Sequence, residues 1–293
     1  GSGRVPRRCD KMGREGWNML KAGIVGFLPD DRNKTEETWR LLEQYAKIGY
    51  SAMDMDLNYA VPGGNLREKY QRLRSIGIKP VMSGASPEVF DDPVSKIEAL
   101  HIQEIGDVCM YSSSMIASFR RGYGNNAEYD EVMRDFEFMN RAIEFFEKEG
   151  IHFCYHNHYQ EFTTYYRGIS GFDLMLLNVD SRLKFNLDTG WVMVAGLDPV
   201  QLMKRLEGRI ANVHLKDFYD LEAPKHILNS DPSTKVGFTS LGSGYLPVDE
   251  ILAEMERQGL SYACVEQDVL RNLNRVETLT ASYLRMKESG YVN

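Results

Sequence analysis

Histidines are crowded into one short segment of the sequence. Residues 151–161 read IHFCYHNHYQE, and His152, His156 and His158 are three of the six histidines in this chain of 293 residues. A neutral imidazole can ligate a transition metal, and an imidazole that titrates near neutral pH can move a proton. A histidine on a strand can also serve only as a structural hydrogen-bonding group. Which role applies depends on the residues that lie near it in the fold.

Polar residues of ligand type also end three later apolar segments. Because side chains alternate along a strand, His214 and Lys216 share one face, as do Glu266 and Asp268. Imidazoles and carboxylates without a thiolate are typical ligands of Mn²⁺, Zn²⁺, Co²⁺ and Fe²⁺. Buried charges need partners, so the pattern predicts one bound divalent ion, with an internally paired structural network as the alternative. The polar residues at the four segment ends are His156, Asn157, His158, Asp188, His214, Lys216, Asp217, Glu266 and Asp268.

These segments belong to a regular alternation of short apolar runs and longer amphipathic runs from residue 20 onward. Such an alternation is typical of β/α units on a parallel sheet. It predicts a single (β/α)8 TIM barrel, in which catalytic groups come from the C-terminal ends of the strands. A doubly wound sheet alternates in the same way, but LGSGYLP (241–247) is not a GxGxxG loop after the first strand. The eight predicted strands are 21–27, 51–57, 78–84, 107–113, 152–158, 183–190, 210–217 and 262–268.

Composition limits the classes of partner and compartment. The formal net charge of −7 argues against a nucleic-acid-binding surface. No run reaches the roughly 18 apolar residues that a membrane helix needs. Cys9, Cys109, Cys154 and Cys264 lack CxxC spacing and are expected to be reduced thiols of a cytoplasmic protein. Residues 1–18 are expected to be a tag or a disordered N-terminal extension, which leaves 19–293 for the barrel.

Four segments together resemble the sugar phosphate isomerase/epimerase family, whose fold is the xylose isomerase-like TIM barrel. They read YHNHYQEF, FNLDTGWV, NVHLKDF and YACVEQD and occur in the order that the family has. The resemblance implies one divalent metal ion, with Mn²⁺ expected first and Zn²⁺, Co²⁺, Fe²⁺ or Mg²⁺ as alternatives. The metal ligands that it implies are His156, Asp188, His214 and Glu266.

The chain departs from the pattern of the family at two positions. His156 stands where many relatives have glutamate, so Glu161 is the substitute ligand and His158 the third choice. Trp191 stands where many relatives have histidine after DTG. An indole there offers an apolar wall for a sugar ring, or else it only packs at the start of the next helix.

The activity implied by the resemblance is isomerisation or epimerisation of a sugar or sugar phosphate. A metal ion polarises a carbonyl, a base removes the neighbouring proton, and an enediolate forms. Glu266 and His158 are the candidate base and acid. Lys216 is expected to hold a hydroxyl, a carboxylate or the oxyanion. The candidate substrate contacts are Asn157, Trp191 and Lys216.

Three other functions compete with this one. Epimerising relatives can use two metal-bound glutamates, and His156 replaces one of them, so a dehydratase or lyase acting on a keto-polyol such as inosose or on a 3-keto-glycoside is the second hypothesis. A catalytically inactive sugar-binding barrel is the third. A metal-dependent endonuclease is disfavoured because the net charge is negative and the first three strands lack histidine. The expected partner is a small carbohydrate, and the resemblance implies a homo-oligomer, either a dimer or a tetramer.

Overall fold

Parallel strands form a nearly closed barrel in the computed structural model, which describes residues 19–293. The predicted extension at 1–18, with Cys9 in it, lies outside the described residues. The strands are β1 Lys21–Val25, β2 Ala52–Met53, β3 Lys79–Pro80, β4 Ser83–Gly84, β5 Asp107–Met110, β6 His152–His156, β7 Tyr165–Tyr166, β8 Ile169–Ser170, β9 Lys184–Asp188, β10 Ile210–Phe218, β11 Phe238–Thr239 and β12 Tyr262–Glu266.

Helices follow the barrel strands and pack around them. The α-helices are α1 Thr35–Ile48, α2 Leu57–Ala60, α3 Leu66–Ile76, α4 Pro93–Ile102, α5 Ser118–Arg121, α6 Tyr129–Glu147, α7 Gln160–Thr163, α8 Gly171–Asn178, α9 Thr189–Val194, α10 Pro199–Arg205, α11 Val248–Arg257 and α12 Arg275–Ser289. Short 3-10 helices cover Pro87–Phe90, Ser114–Ile116, Ala223–His226 and Pro232–Thr234. No helix within 19–293 combines the length and the apolar character that crossing a membrane requires.

The third predicted strand, 78–84, is divided into two pieces. In the barrel, neighbouring strands run in the order β3, β2, β1, β12, β10, β9, β6, β5, β4. β3 pairs with β2, and β4 pairs with β5, because the chain turns from one neighbour to the other between them. The two pieces together act as one barrel strand, so the nine segments make eight. The prediction of a (β/α)8 barrel is confirmed.

Most predicted strands end earlier than the sequence pattern suggested. The second ends at Met53 rather than at 57, and the sixth ends at Asp188 rather than at 190. In both places an aspartate caps a short helix that begins within the predicted strand. Asp188 accepts a hydrogen bond from the Trp191 N–H at 2.8 Å and so starts α9. The polar residues therefore stand at the rim, between a strand and a helix.

Apolar faces at helical spacing hold the helices against the barrel. In α1 the side chains of Trp39, Leu42 and Tyr45 recur every three residues and are buried. The cysteines at 109, 154 and 264 are buried free thiols, as expected, and burial raises the pKa of each well above its usual value.

The glycine-rich segment 241–247 wraps around the end of β10. Asp217 accepts backbone hydrogen bonds from Gly242, Gly244 and Leu246 at 2.9–3.0 Å. A Cβ at Gly244 would collide with the carbonyl group of Phe218. The glycines therefore let this segment approach β10 closely, and Asp217 faces away from the interior that His214 and Lys216 share.

Candidate metal site

Four of the predicted ligand residues meet at the C-terminal mouth of the barrel. One ligand atom from each of His156, Asp188, His214 and Glu266 lies within 4.8 Å of the others. They stand on β6, β9, β10 and β12, which are consecutive neighbours in the sheet. Pairing between strands sets His214 opposite Asp188. The strand order thus brings the four together, and their role as metal ligands is still a prediction.

His214 is buried between two carboxylates. Its Nδ1 lies 2.8 Å from Oε2 of Glu266, and its Nε2 lies 2.8 Å from Oδ2 of Asp54. Burial alone would lower the pKa of the imidazole, but the two carboxylates outweigh burial and raise the pKa to about 10. Burial would likewise raise the pKa of Glu266, but Lys216 and His214 hold it well below its usual range. Without metal, His214 and Glu266 form an imidazolium–carboxylate pair.

Lys216 is the second cation of this group. Its Nζ lies 3.3 Å from Asp188, 3.3 Å from Glu266 and 3.1 Å from Asp268. Burial would lower the pKa of the amine, but these carboxylates raise it well above its usual value. Burial raises the pKa of Asp188 to about 6, although Lys216 opposes the shift. With Asp54, four carboxyl groups surround two cations, so carboxyl groups are in excess and a further cation would be favourable.

Two buried side-chain atoms among these four residues have no hydrogen-bond partner. They are Nδ1 of His156 and Oδ2 of Asp188, and Oδ2 lies 3.3 Å from Lys216 Nζ and 3.9 Å from His156 Nε2. Burial, and then the neighbouring His214 and His158, lower the pKa of His156 well below its usual value, which favours the neutral form that ligates metals. A buried polar atom without a partner costs about 1–3 kcal/mol. A divalent ion would give Oδ2 of Asp188 a second positive partner, and two imidazoles with two carboxylates suit Mn²⁺, Zn²⁺, Co²⁺ or Fe²⁺.

Asn157 fixes the backbone beside the site. Its Nδ2 donates to the carbonyl oxygen of Asp188 at 3.1 Å, and its Oδ1 accepts from the Asp188 N–H at 2.9 Å. The side chain is fully buried. Asn157, predicted to contact substrate, thus has both ends of its amide engaged with the rim of β9.

The remaining predicted residues lie around the four ligands rather than among them. Glu161 is fully buried and accepts hydrogen bonds from the Tyr155 hydroxyl at 2.6 Å and the His158 N–H at 3.0 Å. His158 has its ring centroid 4.9 Å from that of His156, and its Nδ1 is unpartnered. Trp191 is 1% exposed, and the Lys216 Nζ lies 5.1 Å from the centre of its ring.

A cavity of about 990 Å³ opens beside the four ligands, towards β1 and β2. Glu266 and Asp54 line it, so these two carboxylates connect the ligand group to the space that a substrate can enter. The volume lies at the upper end of the roughly 300–1,000 Å³ typical of ligand pockets, which is ample for a sugar ring. Other lining residues include Asp30, Arg32, Asp56, Tyr59, Tyr111 and Asp268.

Asp54 is the site residue that the sequence interpretation missed. It follows β2 and is 2% exposed. The available signal was an aspartate inside the apolar run SAMDMDL, because a buried carboxylate must have partners. Its contact with His214 spans 160 residues of sequence, so the residues around Asp54 could not identify His214 as its partner.

A family model described as the xylose isomerase-like TIM barrel matches residues 42–279. Among curated proteins, an inosose dehydratase of Clostridium botulinum is 30% identical over 139 residues, which are 44% of this chain and 45% of that protein. The chain spans less than half the length of the curated relatives that it matches.

Solved structures share the fold at low sequence identity. A sugar phosphate isomerase/epimerase from Parabacteroides distasonis has a TM-score of 0.68 at 18% identity, covering 92% of this chain and 99% of that one. The IOLI protein with a bound zinc atom has a TM-score of 0.61 at 13% identity, covering 92% and 96% of the two chains.

Proposed function

Because the chain belongs to the xylose isomerase-like TIM barrel family, we propose that it is a metal-dependent isomerase or epimerase of a sugar or sugar phosphate. One observation carries the proposal. Two imidazoles and two carboxylates, from four neighbouring strands, lie within 4.8 Å of one another beside a cavity of about 990 Å³. The proposed cofactor is one divalent ion, Mn²⁺ before Zn²⁺, Co²⁺, Fe²⁺ or Mg²⁺.

His156, Asp188, His214 and Glu266 would hold this ion. When bound, it supplies a Lewis acid that polarises the carbonyl of the substrate. The excess of carboxyl groups and the buried His156 imidazole, whose lowered pKa favours the neutral form, are the features of this chain that fit a cation.

Glu266 is the proposed base. It is one of the four ligand residues and also lines the cavity, and its depressed pKa keeps it ionised at neutral pH. It would take the proton from the carbon next to the carbonyl. A base must lie within hydrogen-bonding reach of the proton that it removes, and the other three ligands do not line this cavity.

Lys216 is the proposed electrostatic partner of the enediolate. Its ammonium group is buried and permanently charged, so it cannot serve as a base. It lies 3.3 Å from Glu266, where its charge would stabilise an enediolate formed beside that carboxylate. His158 is the proposed acid that returns the proton; its Nδ1 makes no hydrogen bond and lies 3.9 Å from Oε1 of Glu161.

Dehydration of a keto-polyol such as an inosose, or elimination from a 3-keto-glycoside, is the second candidate. It needs one base and a leaving group rather than two bases on opposite faces of a carbon. His156 is a neutral imidazole where a second carboxylate would stand, and the curated relatives are inosose dehydratases. Both observations favour this chemistry.

Solvent exchange tests both candidates. The metal-loaded protein is incubated in D2O with keto-sugars, their phosphates, an inosose and a 3-keto-glycoside, quenched with EDTA and followed by proton NMR. An isomer or epimer that carries deuterium supports the first candidate, and an unsaturated product supports the second.

The controls separate catalysis from binding. With metal present at a saturating concentration, Glu266→Gln should lower exchange by at least about 100-fold, the usual size of a general-base contribution. Glu250→Gln makes the same change on the exposed face of α11 and should have no effect. If no bound ligand exchanges or reacts, both candidates fail and the sugar-binding barrel is left.

A further inference from the structure

The carboxylate of Asp54 lies at the centre of a polar network inside the barrel. Three side chains donate hydrogen bonds to it, and a ring nitrogen of His214 lies within hydrogen-bonding distance. The Tyr111 hydroxyl contacts Oδ1, and Oδ2 accepts from Asn186 Nδ2 at 3.0 Å and Asn212 Nδ2 at 2.5 Å and lies 2.8 Å from His214 Nε2. The hydroxyl and the two amides make both oxygens of Asp54 acceptors, and an acceptor opposite Nε2 requires that Nε2 carries the proton.

The strand geometry explains why Asp54 can reach this position. β2 is not a neighbour of β10 in the sheet, so Asp54 crosses the barrel interior to contact His214. Asn186 and Asn212 stand two residues before Asp188 and His214 on their strands and point to the same interior. They form a layer of amides beneath the candidate ligands and fix the carboxylate from below.

The contact between Nε2 and Asp54 determines which nitrogen of His214 faces the ligand group. The other nitrogen, Nδ1, lies 2.8 Å from Glu266. We propose that Asp54 is a positioning residue: it holds His214 in the orientation and tautomer that present the Nδ1 lone pair to a divalent ion. The proposal rests on the proposed function, because it assumes that His214 ligates the ion. Histidine ligands commonly donate their second N–H to a carboxylate in this way.

Asp54→Asn tests the proposal, with Asp56→Asn as the matched control. Asp56 lines the same cavity, and its carboxylate is engaged by Ser83 and lies 3.9 Å from Lys96 rather than next to His214. The control removes the same charge two residues away. Affinity for Zn²⁺ and Mn²⁺, measured by competition with a chelator, should fall about 10- to 100-fold in Asp54→Asn. It should change less than about threefold in Asp56→Asn.

A second measurement uses the unsubstituted protein, so it holds even if Asp54→Asn fails to fold. Long-range ¹H–¹⁵N NMR of the Zn²⁺-loaded protein reports which ring nitrogen of each histidine carries a proton. The His214 signal, identified by its loss in His214→Gln, should show a protonated Nε2 and a metal-bound Nδ1. A metal-bound Nε2 would overturn the proposal.

The affinity results separate the failure of this inference from the failure of the proposed function. If the unsubstituted protein binds metal and Asp54→Asn binds it equally well, only the role of Asp54 is rejected. Equal losses in the two variants would reject it in favour of a general effect of charge. If the unsubstituted protein binds no divalent ion, the proposed function itself fails, and the role of Asp54 fails with it.

Discussion

Lys216 and His214 neutralise part of the carboxylate charge at the barrel mouth. Both are fully buried, and both stay charged because carboxylates contact them. Breaking a buried ion pair by removing one partner typically costs about 3–5 kcal/mol, since the other charge is left without compensation. Removing either cation should therefore destabilise the metal-free protein, and a metal ion must compete with the proton on His214 Nδ1.

This competition predicts proton release when metal binds. The pKa of His214 is raised to about 10, so below that pH the metal-free imidazole holds a proton on Nδ1 that ligation must displace. Affinity should therefore rise with pH between about 6 and 10, by about tenfold per pH unit. Below pH 6 the rise should be steeper, because Asp188, with a pKa of about 6, must also lose a proton.

Calorimetry in two buffers of different ionisation enthalpy measures this release directly. At pH 7.5 the difference in heat should correspond to about one proton per ion. A heat that does not depend on the buffer would show that His214 is not protonated before binding, or that it does not ligate the ion through Nδ1.

At the level of the elements, the sequence could predict where the ligands converge because parallel strands end at the same rim. Apolar runs located the strands, and alternation along each strand placed His214 and Lys216 on one face. Strand ends were harder to locate. Asp56 and Asp188 fit a strand pattern equally well, yet each caps a short helix, and a capping side chain is recognised only by the backbone N–H that it accepts from.

The contacts of Asp54 and the smallest elements lay beyond the pattern for a different reason. β7, β8 and β11 have two residues each, too few for any periodicity. Asp54 contacts side chains on β9 and β10 and the hydroxyl of Tyr111 directly after β5, which meet it only after the barrel closes. Contacts of this kind cannot be predicted from the sequence around either residue.

The junction of β9 and α9 depends on Gly190. A Cβ there would collide with the carbonyl oxygen of Lys216 and lie 2.9 Å from both its carbonyl carbon and its Cβ. The backbone of Lys216 cannot move out of the way as the end of a flexible side chain could. Gly190→Ala should therefore lower the free energy of unfolding by about 1–3 kcal/mol and weaken metal binding, because Asp188 and Lys216 are pushed apart.

Urea unfolding of the metal-free protein measures the loss of stability. Gly106→Ala is the control, since a Cβ at Gly106 meets no atom within 4 Å. This variant should stay within about 0.5 kcal/mol of the unsubstituted protein. Equal stability of the two variants would show that the end of β9 adapts to a methyl group.

At the scale of the whole molecule, the candidate ligands come from four of the eight barrel strands. β6, β9, β10 and β12 are consecutive in the sheet but far apart in sequence. An ion held by all four can bind only when the barrel is closed. Its binding free energy therefore adds to the stability of the folded state.

Metal should accordingly raise the melting temperature of the chelator-treated protein. At a free ion concentration about one hundred times the Kd, the added stability is about 2.7 kcal/mol, equivalent to roughly 5 °C for a domain of this size. Scanning calorimetry with and without Mn²⁺ measures the shift, which should vanish in Asp188→Ala.

Because Asp188 also caps α9, the matched control is Asp198→Ala, which removes the cap of α10 away from the four ligands. Asp198→Ala should melt lower by the cost of a lost cap, about 1 kcal/mol, yet keep the full shift with Mn²⁺. A shift that survives in Asp188→Ala would place the stabilising ion elsewhere in the molecule.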